Sequence, residues 1–449
     1  MIKIFSHNIR TEVLKLYTAD ASLTLWVVFA ALAAIRPGME RTPGAMTEWL
    51  VLLPLAFAIS IAGSITAGAA GLYQPSPMSN PRRAMKAAGT SLILLAPIAF
   101  LLVSVILPDG THGQAWGVVM LGATFALAAT RMPLALRSHP PLCRLALVGG
   151  VPAAAPGGGT VQQSHQPFEV TLQLPLAERL GDALERGRLR AWRIWAIITP
   201  RNMAVTDALR RQCSAAGLKV YTQSEFSEVG LAQVSVEDLP PGWLNSAKAM
   251  HTGRAEAALR RGVDIVLALG LLIFTLPLLL LTALAIRLEG PGPVFYKQER
   301  VGLGHRTFML FKFRSMVVDA EAGGIPRWAS PGDARVTRIG RFLRLSRIDE
   351  IPQAINVLRG DMSLVGPRPE RPGFVETLKL DIPHYDARAV VKPGITGWAQ
   401  VNYPYGASVE DARIKLAYDL YYVRRRSLFL DLLILLATVR VVLFQEGAR

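Results

Sequence analysis

The sequence predicts a membrane protein in three parts: a four-helix transmembrane bundle, a small Rossmann-like α/β domain, and a mostly α-helical C-terminal domain with a re-entrant membrane hairpin. Three observations predict it. Hydrophobic residues make up 51% of the 449 and charged residues only 18%, against about a quarter charged in ordinary soluble domains. Four apolar runs crowd the first 135 residues. A fifth apolar run further on carries basic residues at both ends, which a straight span does not accommodate if positive charge stays on one side.

The four runs cover residues 21–35, 49–72, 87–107 and 115–130. A spanning helix needs roughly 20 apolar residues, so the middle two are comfortable and the outer two a little short. The first does not read as a cleaved signal peptide: no small-x-small site follows it and three more spans do. Lys3, Arg10 and Lys15 precede the first run, Arg82, Arg83 and Lys86 follow the second, and Arg131, Arg137 and Arg144 follow the fourth. Residues 108–114 after the third carry neither Lys nor Arg, and Arg36 and Arg41 after the first are offset by Glu40 and Glu48. Basic residues retained inside put the N-terminus and everything after Arg131 on the cytoplasmic side. None of the four runs holds an ionisable residue, which counts against a transport pathway.

From about 143 to 245 the pattern changes. Residues 145–148, 195–198 and 218–221 read as strands, and 205–217 as a helix. Strand and helix in alternation predict a small α/β domain. Residues 149–159 are rich in Gly, Pro and Ala, but no G-x-G-x-x-G opens a helix there, so a structural or regulatory role is preferred to a nucleotide site.

The fifth run, 265–286, follows Arg254, Arg260 and Arg261 and precedes Arg287, Lys297 and Arg300. A hairpin over 264–288 that enters one leaflet, breaks and returns satisfies both flanks. Pro277, with Thr275 nearby, removes a backbone hydrogen bond where the break is needed. A proline-kinked fifth span is the alternative. The last apolar stretch, 428–444, contains Asp431 and Arg440. It reads as an interfacial amphipathic helix, with Leu432, Leu435, Leu436, Val439 and Leu443 on one side.

The net charge is +16 and the sequence pI near 10.2. Such a balance fits lipid headgroups or phosphorylated substrates. A nucleic-acid partner is not expected, because no recognised binding motif accompanies the charge. Cys143 and Cys213 are too few for a disulfide framework, and no C-x-x-C pair points to zinc. The chemistry concentrates in 295–316, 338–370 and 391–400. Arg300, Lys312, Arg314, Arg344 and Arg368 are cationic donors suited to phosphate. Among them lie the adjacent carboxylates Asp349 and Glu350. Surrounding arginines favour their ionised forms, which suits a carboxylate nucleophile or a Mg²⁺ ligand. A salt-bridged surface would use the same residues. Rigid turns at Gly360-Asp361, Gly366-Pro367-Arg368-Pro369-Glu370 and Pro393-Gly394-Ile395-Thr396-Gly397 favour a site.

Residues 255–449 resemble the bacterial sugar transferase family, the polyprenyl-phosphate phosphoglycosyl transferases. The resemblance rests on an ordered set of motifs: Arg260-Arg261-Gly262-Val263-Asp264, Gln298-Glu299-Arg300-Val301-Gly302, Phe311-Lys312-Phe313-Arg314-Ser315-Met316, Asp349-Glu350-Ile351-Pro352-Gln353, Asn356 to Ser363, Val365 to Glu370 and Pro393 to Trp398. Four spans before an α/β domain resemble the large polytopic branch, which starts exopolysaccharide repeat units. The resemblance implies domains at 1–135, 143–245 and 255–449. It also implies transfer of sugar 1-phosphate from a UDP-sugar, UDP-glucose or UDP-galactose, to undecaprenyl phosphate, with release of UMP. Carried over, Asp349 is the nucleophile and Glu350 positions Mg²⁺ or phosphate. Arg344 contacts phosphate, Pro367, Arg368 and Pro369 form the loop on the uridine side, and Glu370 joins Arg300, Lys312 and Arg314 in binding substrate or phosphate. Arg347 stands where many relatives carry a small polar residue. A homodimer is plausible on the same footing. A metal-dependent glycosyltransferase is disfavoured because the chain has no Asp-x-Asp. The non-enzymatic alternative is a scaffold or export component of a polysaccharide system.

Overall fold

The computed structural model describes residues 2–4, 7–9, 11–34, 45–73, 81–107, 112–135, 143–148, 168–174, 192, 194–200, 207–318, 320, 333–403, 406 and 408–444. These fall into two compact units, one ending at Cys143 and one beginning at Arg144.

The first unit opens with a short antiparallel hairpin, β1 (Ile2–Ile4) and β2 (His7–Ile9). Four helices follow: α1 (Thr11–Ala34), α2 (Ala45–Ala69), α3 (Pro81–Ile106) and α4 (His112–Ala135). Their inward residues share one core, including Val28 and Leu32 of α1, Leu55 and Ile59 of α2, Leu95 and Val103 of α3, and Val119 of α4. Outward positions such as Trp26, Phe57, Phe100 and Phe125 stay exposed, as expected of helices whose outer surface meets lipid rather than water. Each helix is long and apolar enough to cross a membrane. The helices run past the apolar stretches read from the sequence, and the extra turns carry an ion pair. Arg131 of α4 lies 2.6 Å from the buried Asp20 of α1 and sits over the Tyr73 ring. Ionisable residues are therefore present within the stretches of these helices that are long and apolar enough to cross a membrane, and there each charge neutralises the other.

In the second unit, β3 (Cys143–Val148), β5 (Ile194–Thr199) and β6 (Lys219–Thr222) run parallel, and β4 (Phe168–Leu174) borders β3. Helix α5 (Asp207–Ala215) packs on this sheet through Cys213. The 149–159 stretch lies outside the described residues. Residues 223–251 then turn repeatedly and join the C-terminal core: Val234, Val236, Leu239, Trp243 and Ala247 are buried with Leu364, Leu416 and Leu420. The Val234 N–H donates to the Ala417 carbonyl, and Trp398 Nε1 donates to the Ala232 carbonyl. The hydrophobic core of the C-terminal region thus reaches back before residue 255.

Helix α6 (Arg254–Glu289) is a single helix of 36 residues with Pro277 inside it. The expected helix–break–helix pattern is not seen. Proline deletes one backbone hydrogen bond and tolerates a kink, and the leucine-rich flanks keep their helical preference. Thr275 Oγ1 donates to the Leu271 carbonyl beside the proline. The N-terminal half packs through Ala268, Leu271 and Leu272 on the main core. The C-terminal half packs through Leu279, Ala283 and Ile286 on a second cluster with Phe313 and Leu343. Between them Ile273 and Phe274 are exposed, Phe274 by 88%. Both ends of the helix are therefore bonded to one unit. At the start, Arg260 pairs with Glu256 and Asp431, and Asp264 accepts from Ser363 Oγ and the Leu364 N–H. At the end, Arg314 donates to the Ile286, Gly290 and Pro291 carbonyls.

The remaining elements wrap these anchors. An antiparallel hairpin, β7 (Phe295–Val301) and β8 (Thr307–Phe313), is followed by α7 (Arg338–Ser346) and α8 (Gln353–Arg359). Strands β9 (Ser363–Val365) and β10 (Gly394–Thr396) pair in parallel, with α9 (Pro372–Asp381) between them in sequence. A Cβ on Gly366 or Gly394 would overlap backbone of the facing segment, so glycine is what lets these loops touch. Helices α10 (Val409–Arg425) and α11 (Leu428–Leu443) close the chain. Leu432, Val439, Val442 and Leu443 of α11 are exposed, whereas Leu435 packs on the core. Its two charges face protein: Asp431 meets Arg260, and Arg440 donates to the Val401 carbonyl.

Asp431→Ala leaves Arg260 buried with Glu256 alone. Removing one partner of a buried pair costs about 3 kcal/mol, so the thermal midpoint of the detergent-solubilised protein should fall. The double variant Arg260→Met with Asp431→Leu should recover most of it. An unchanged midpoint in Asp431→Ala would remove this pair as an anchor of α6.

Candidate active site

The Asp-Glu pair is placed by a change of helix type. Thr337 caps α7 by accepting from the Gly340 N–H at 2.9 Å. Gly340 lies so close to Ser315 that a Cβ would overlap its backbone, and this contact ties α7 to the exit of β8. The helix ends at Arg347, whose φ of 59° is left-handed, a conformation costing about 1–2 kcal/mol for a residue with a side chain. The turn sends the chain into a short 3₁₀ helix, Ile348–Glu350. Ile348 packs with Phe313 and Leu343, and Asp349 and Glu350 turn inward, 7% and 8% exposed. Asn356 secures the arrangement from α8. Its Nδ2 donates to the Met309 carbonyl and its Oδ1 accepts the Phe311 N–H, which holds β8 against the turn.

The two carboxylates have different surroundings. Glu350 Oε1 accepts from Lys312 Nζ at 3.0 Å and from Arg368 Nη2 at 2.7 Å. Burial alone would raise the Glu350 carboxyl, but Arg368, Lys312 and Arg347 outweigh it and hold it well below the usual range. Asp349 Oδ1 is buried with no hydrogen-bond partner. Burial, with the Glu350 charge adding to it, pushes Asp349 up to about 6 against Lys312, Arg344 and Arg368. Burial likewise lowers Lys312, with Glu350 opposing. The pair thus divides into one carboxylate fixed by cations and one with an oxygen left open.

Both face a cavity of about 1070 Å³, large for a small-molecule site. Lys312, Arg344, Arg368, Arg300, Arg314 and Glu370 also line it, with Phe374, Ile395 and Val441 on the apolar side. Pro367 and Pro369 do not line it; they shape the loop that presents Arg368. That loop is held by consecutive carbonyls. Pro367 accepts from the Gly394 N–H, Arg368 from Arg388, Pro369 from Arg300, and Glu370 from the Val301 N–H. Arg300 therefore serves the loop, with Glu370 at 3.8 Å. Arg344 Nε donates to Ser315 Oγ at 3.0 Å. Arg314, expected at phosphate, directs its hydrogen bonds to the three carbonyls at the end of α6, where it acts as a helix cap.

The sequence reading did not single out Ser315, Arg388 or Asp419 as site residues. Arg388 Nη2 reaches Asp419 Oδ2 at 2.9 Å as well as the Arg368 carbonyl, and Nη1 donates to the Tyr385 hydroxyl. Asp419 is 2% exposed, and burial pushes it up to about 6. An acid inside the aromatic run Tyr418 to Tyr422 was the available signal, since a buried carboxylate requires a partner.

Among the described residues no three or more His, Cys, Asp or Glu side chains gather into a metal cage. Mg²⁺ needs no such cage: one or two carboxylates suffice when substrate phosphates and water complete the octahedron. The open Asp349 oxygen beside Glu350, on the wall of a cavity lined with arginine, fits that demand.

The family described as bacterial sugar transferase matches residues 255–445. A UDP-N-acetylgalactosamine-undecaprenyl-phosphate N-acetylgalactosaminephosphotransferase of Aeromonas hydrophila is 44% identical over 238 residues, 53% of this chain and 55% of its own. UDP-glucose:undecaprenyl-phosphate glucose-1-phosphate transferases of Xanthomonas campestris pv. campestris and Caulobacter vibrioides are 47% and 46% identical over 187 and 191 residues. Those matches cover 41% and 42% of this chain, and 39% and 71% of the relatives. The chain thus spans about half or less of the Aeromonas and Xanthomonas proteins and most of the Caulobacter one. With its motifs in order and its Asp-Glu pair on the wall of the cavity, the chain belongs to the bacterial sugar transferase family.

Proposed function

We propose that this protein transfers a hexose 1-phosphate from a UDP-sugar to undecaprenyl phosphate, releasing UMP, as the first membrane step of an exopolysaccharide repeat unit. The observation that carries the proposal is the division of the carboxylate pair: Glu350 is held by Lys312 and Arg368, while Asp349 Oδ1 is buried with no partner. Related proteins whose names specify this transfer support the substrate class, with glucose and N-acetylgalactosamine both represented. UDP-glucose and UDP-galactose are the donors we propose to test first.

In the proposed reaction an Asp349 oxygen attacks the β-phosphorus of the donor. The bond from that phosphorus to the bridging oxygen breaks, and UMP leaves with the electron pair. Undecaprenyl phosphate then attacks the same phosphorus through a phosphate oxygen, and the Asp349 carboxylate leaves. The product is a diphosphate-linked lipid sugar, and the enzyme is regenerated. A covalent intermediate separates two bulky substrates in time. Arg344, Lys312 and Arg368 offset the charge spread over the transferring phosphoryl group. Arg388 and Arg300 act through the Arg368 and Pro369 carbonyls. Asp349 and Glu350 would hold Mg²⁺, which supplies further neutralisation of the diphosphate when bound.

We further propose that α6 enters and leaves the cytoplasmic leaflet of the inner membrane. From Asp264 to Gly290 a straight helix would run about 39 Å, yet Asp264 and Arg314 fasten those two points to the same unit. One aqueous domain does not sit on both sides of a bilayer. The basic residues at both ends of the helix and the exposed Phe274 at its middle support a return through Pro277.

The test is UMP release from purified protein given undecaprenyl phosphate, Mg²⁺ and a panel of UDP-sugars. UMP is expected with one hexose donor; UDP as the product would overturn the reaction. Asp349→Asn should lower turnover at least about a thousandfold, and a near-normal rate would remove Asp349 as nucleophile. Because Asp349 is pushed up to about 6, kcat/KM should fall about tenfold per pH unit below 6; a flat profile down to pH 5 would contradict an ionised Asp349. The same shift has a stability consequence. A folded-state pKa above the unfolded value contributes stability at low pH, and that contribution is lost as pH rises through about 6. At pH 7 Asp349→Asn should therefore stabilise the protein, read as a higher thermal midpoint.

A further inference from the structure

Lys392 is half-buried and, among the described residues, makes no hydrogen bond or ion pair. Its neighbours are Arg261 and Arg426, with Asp264 and Asp361 as the facing carboxylates. Both carboxylates are engaged: Asp264 with Ser363 and Leu364, Asp361 with Asn356 Nδ2. Arg261 donates to the Val357 and Leu358 carbonyls at the end of α8, which offsets the negative helix end there. Arg426 hydrogen-bonds Tyr422, and its Nε is buried with no partner. Gly360 forms the floor. It is left-handed at φ 92°, and a Cβ there would lie 3.7 Å from both Arg261 Nη2 and Lys392 Nζ. Two cations that close to one point are within the span of a single phosphate.

The position of this cluster in the chain gives it meaning. Arg261 lies four residues before the apolar run of α6, and Ile265, Val266 and Leu269 just beyond are exposed. The cations therefore stand at the depth where α6 would meet lipid headgroups. We infer that Lys392, Arg261 and Arg426 form a phosphate site for the headgroup of an anionic phospholipid, on the Gly360 floor and separate from the catalytic cavity. Neither Lys392, Arg261, Arg426 nor Gly360 lines that cavity. The site would fix the depth of α6 by pairing its entry point with a lipid diester. The inference rests on α6 lying in the membrane, not on the transfer reaction.

Native mass spectrometry of the detergent-purified full chain tests it, with phosphatidylglycerol, phosphatidylcholine or inorganic phosphate as the added probe. A basic group near a lipid surface contributes about 1 kcal/mol, so Lys392→Gln should lower phosphatidylglycerol retention about fivefold. Lys392→Arg should retain it, as should Lys379→Gln on the exposed side of α9. Phosphatidylcholine retention should not change among these proteins. Equal phosphatidylglycerol retention by Lys392→Gln and the parent would overturn the site, as would equal retention of the two lipids. Lysine-dependent binding of inorganic phosphate with no preference for phosphatidylglycerol would identify a free-phosphate site and overturn the lipid assignment. Lipid count is read from mass, so a failure here is distinct from a failure to release UMP.

Discussion

Everything in the C-terminal unit depends on fastening both ends of one long apolar helix to the same protein surface. At the start of α6, Arg260, Asp264 and Ala268 recur at four-residue intervals and are all buried, so a single stripe of the helix faces protein. That stripe combines ionic, hydrogen-bonded and apolar contact: Asp431 for Arg260, the β9 backbone for Asp264, and the main core for Ala268. At the far end, Arg314 gathers the carbonyls that a helix terminus leaves open. Between the two fastenings the helix exposes Leu and Phe side chains that water would not tolerate in such number.

The Asp349–Glu350 pair inherits its position from these fastenings. Arg314 stands just past β8 and Lys312 within it, so the segment that caps α6 also delivers a cation to Glu350. Ile286 of α6 packs with Phe313, Leu343 and Ile348, and Ile348 immediately precedes Asp349. Helix α6 and the turn that carries the carboxylate pair therefore share one small apolar cluster. The opposite wall is built differently. There the loop from Pro367 to Glu370 is held by carbonyls, with Arg388 and Asp419 buried behind it. A proline-rich loop has few N–H groups to offer, so its order comes from donors brought by β7, β10 and Arg388.

The segment 223–251 links the small sheet to this arrangement. Its apolar residues complete the main core, and Ala232 accepts from Trp398, two residues after the cavity-lining Thr396. Glu228 pairs with Arg424 and Arg425 at the end of α10. The α/β portion is thus continuous with the C-terminal core and not a separate body beside it.

The apolar helices, the parallel strands and the Asp-Glu pair amid arginines were legible in the sequence, because they follow from run length, alternation and local charge. Strand β4 lies outside the strands that the sequence predicts, although Phe168 to Leu174 alternates as a half-buried strand does. Asp20 and Arg131 fell just outside the apolar runs, and the pair forms only because α1 and α4 pack together. The roles of the individual cations were also out of reach. Lys312, Arg314 and Arg300 look alike in sequence, yet one meets Glu350, one caps a helix and one holds a loop. Sequence by itself determined which residues are apolar, charged or stiff, and hence which elements form and where chemistry concentrates. Tertiary structure alone decided which carboxylate is neutralised and which is left open, because that depends on charges brought together from β8, the Ile348–Glu350 turn and the loop after β9, and Coulomb interaction acts through space and not along the chain.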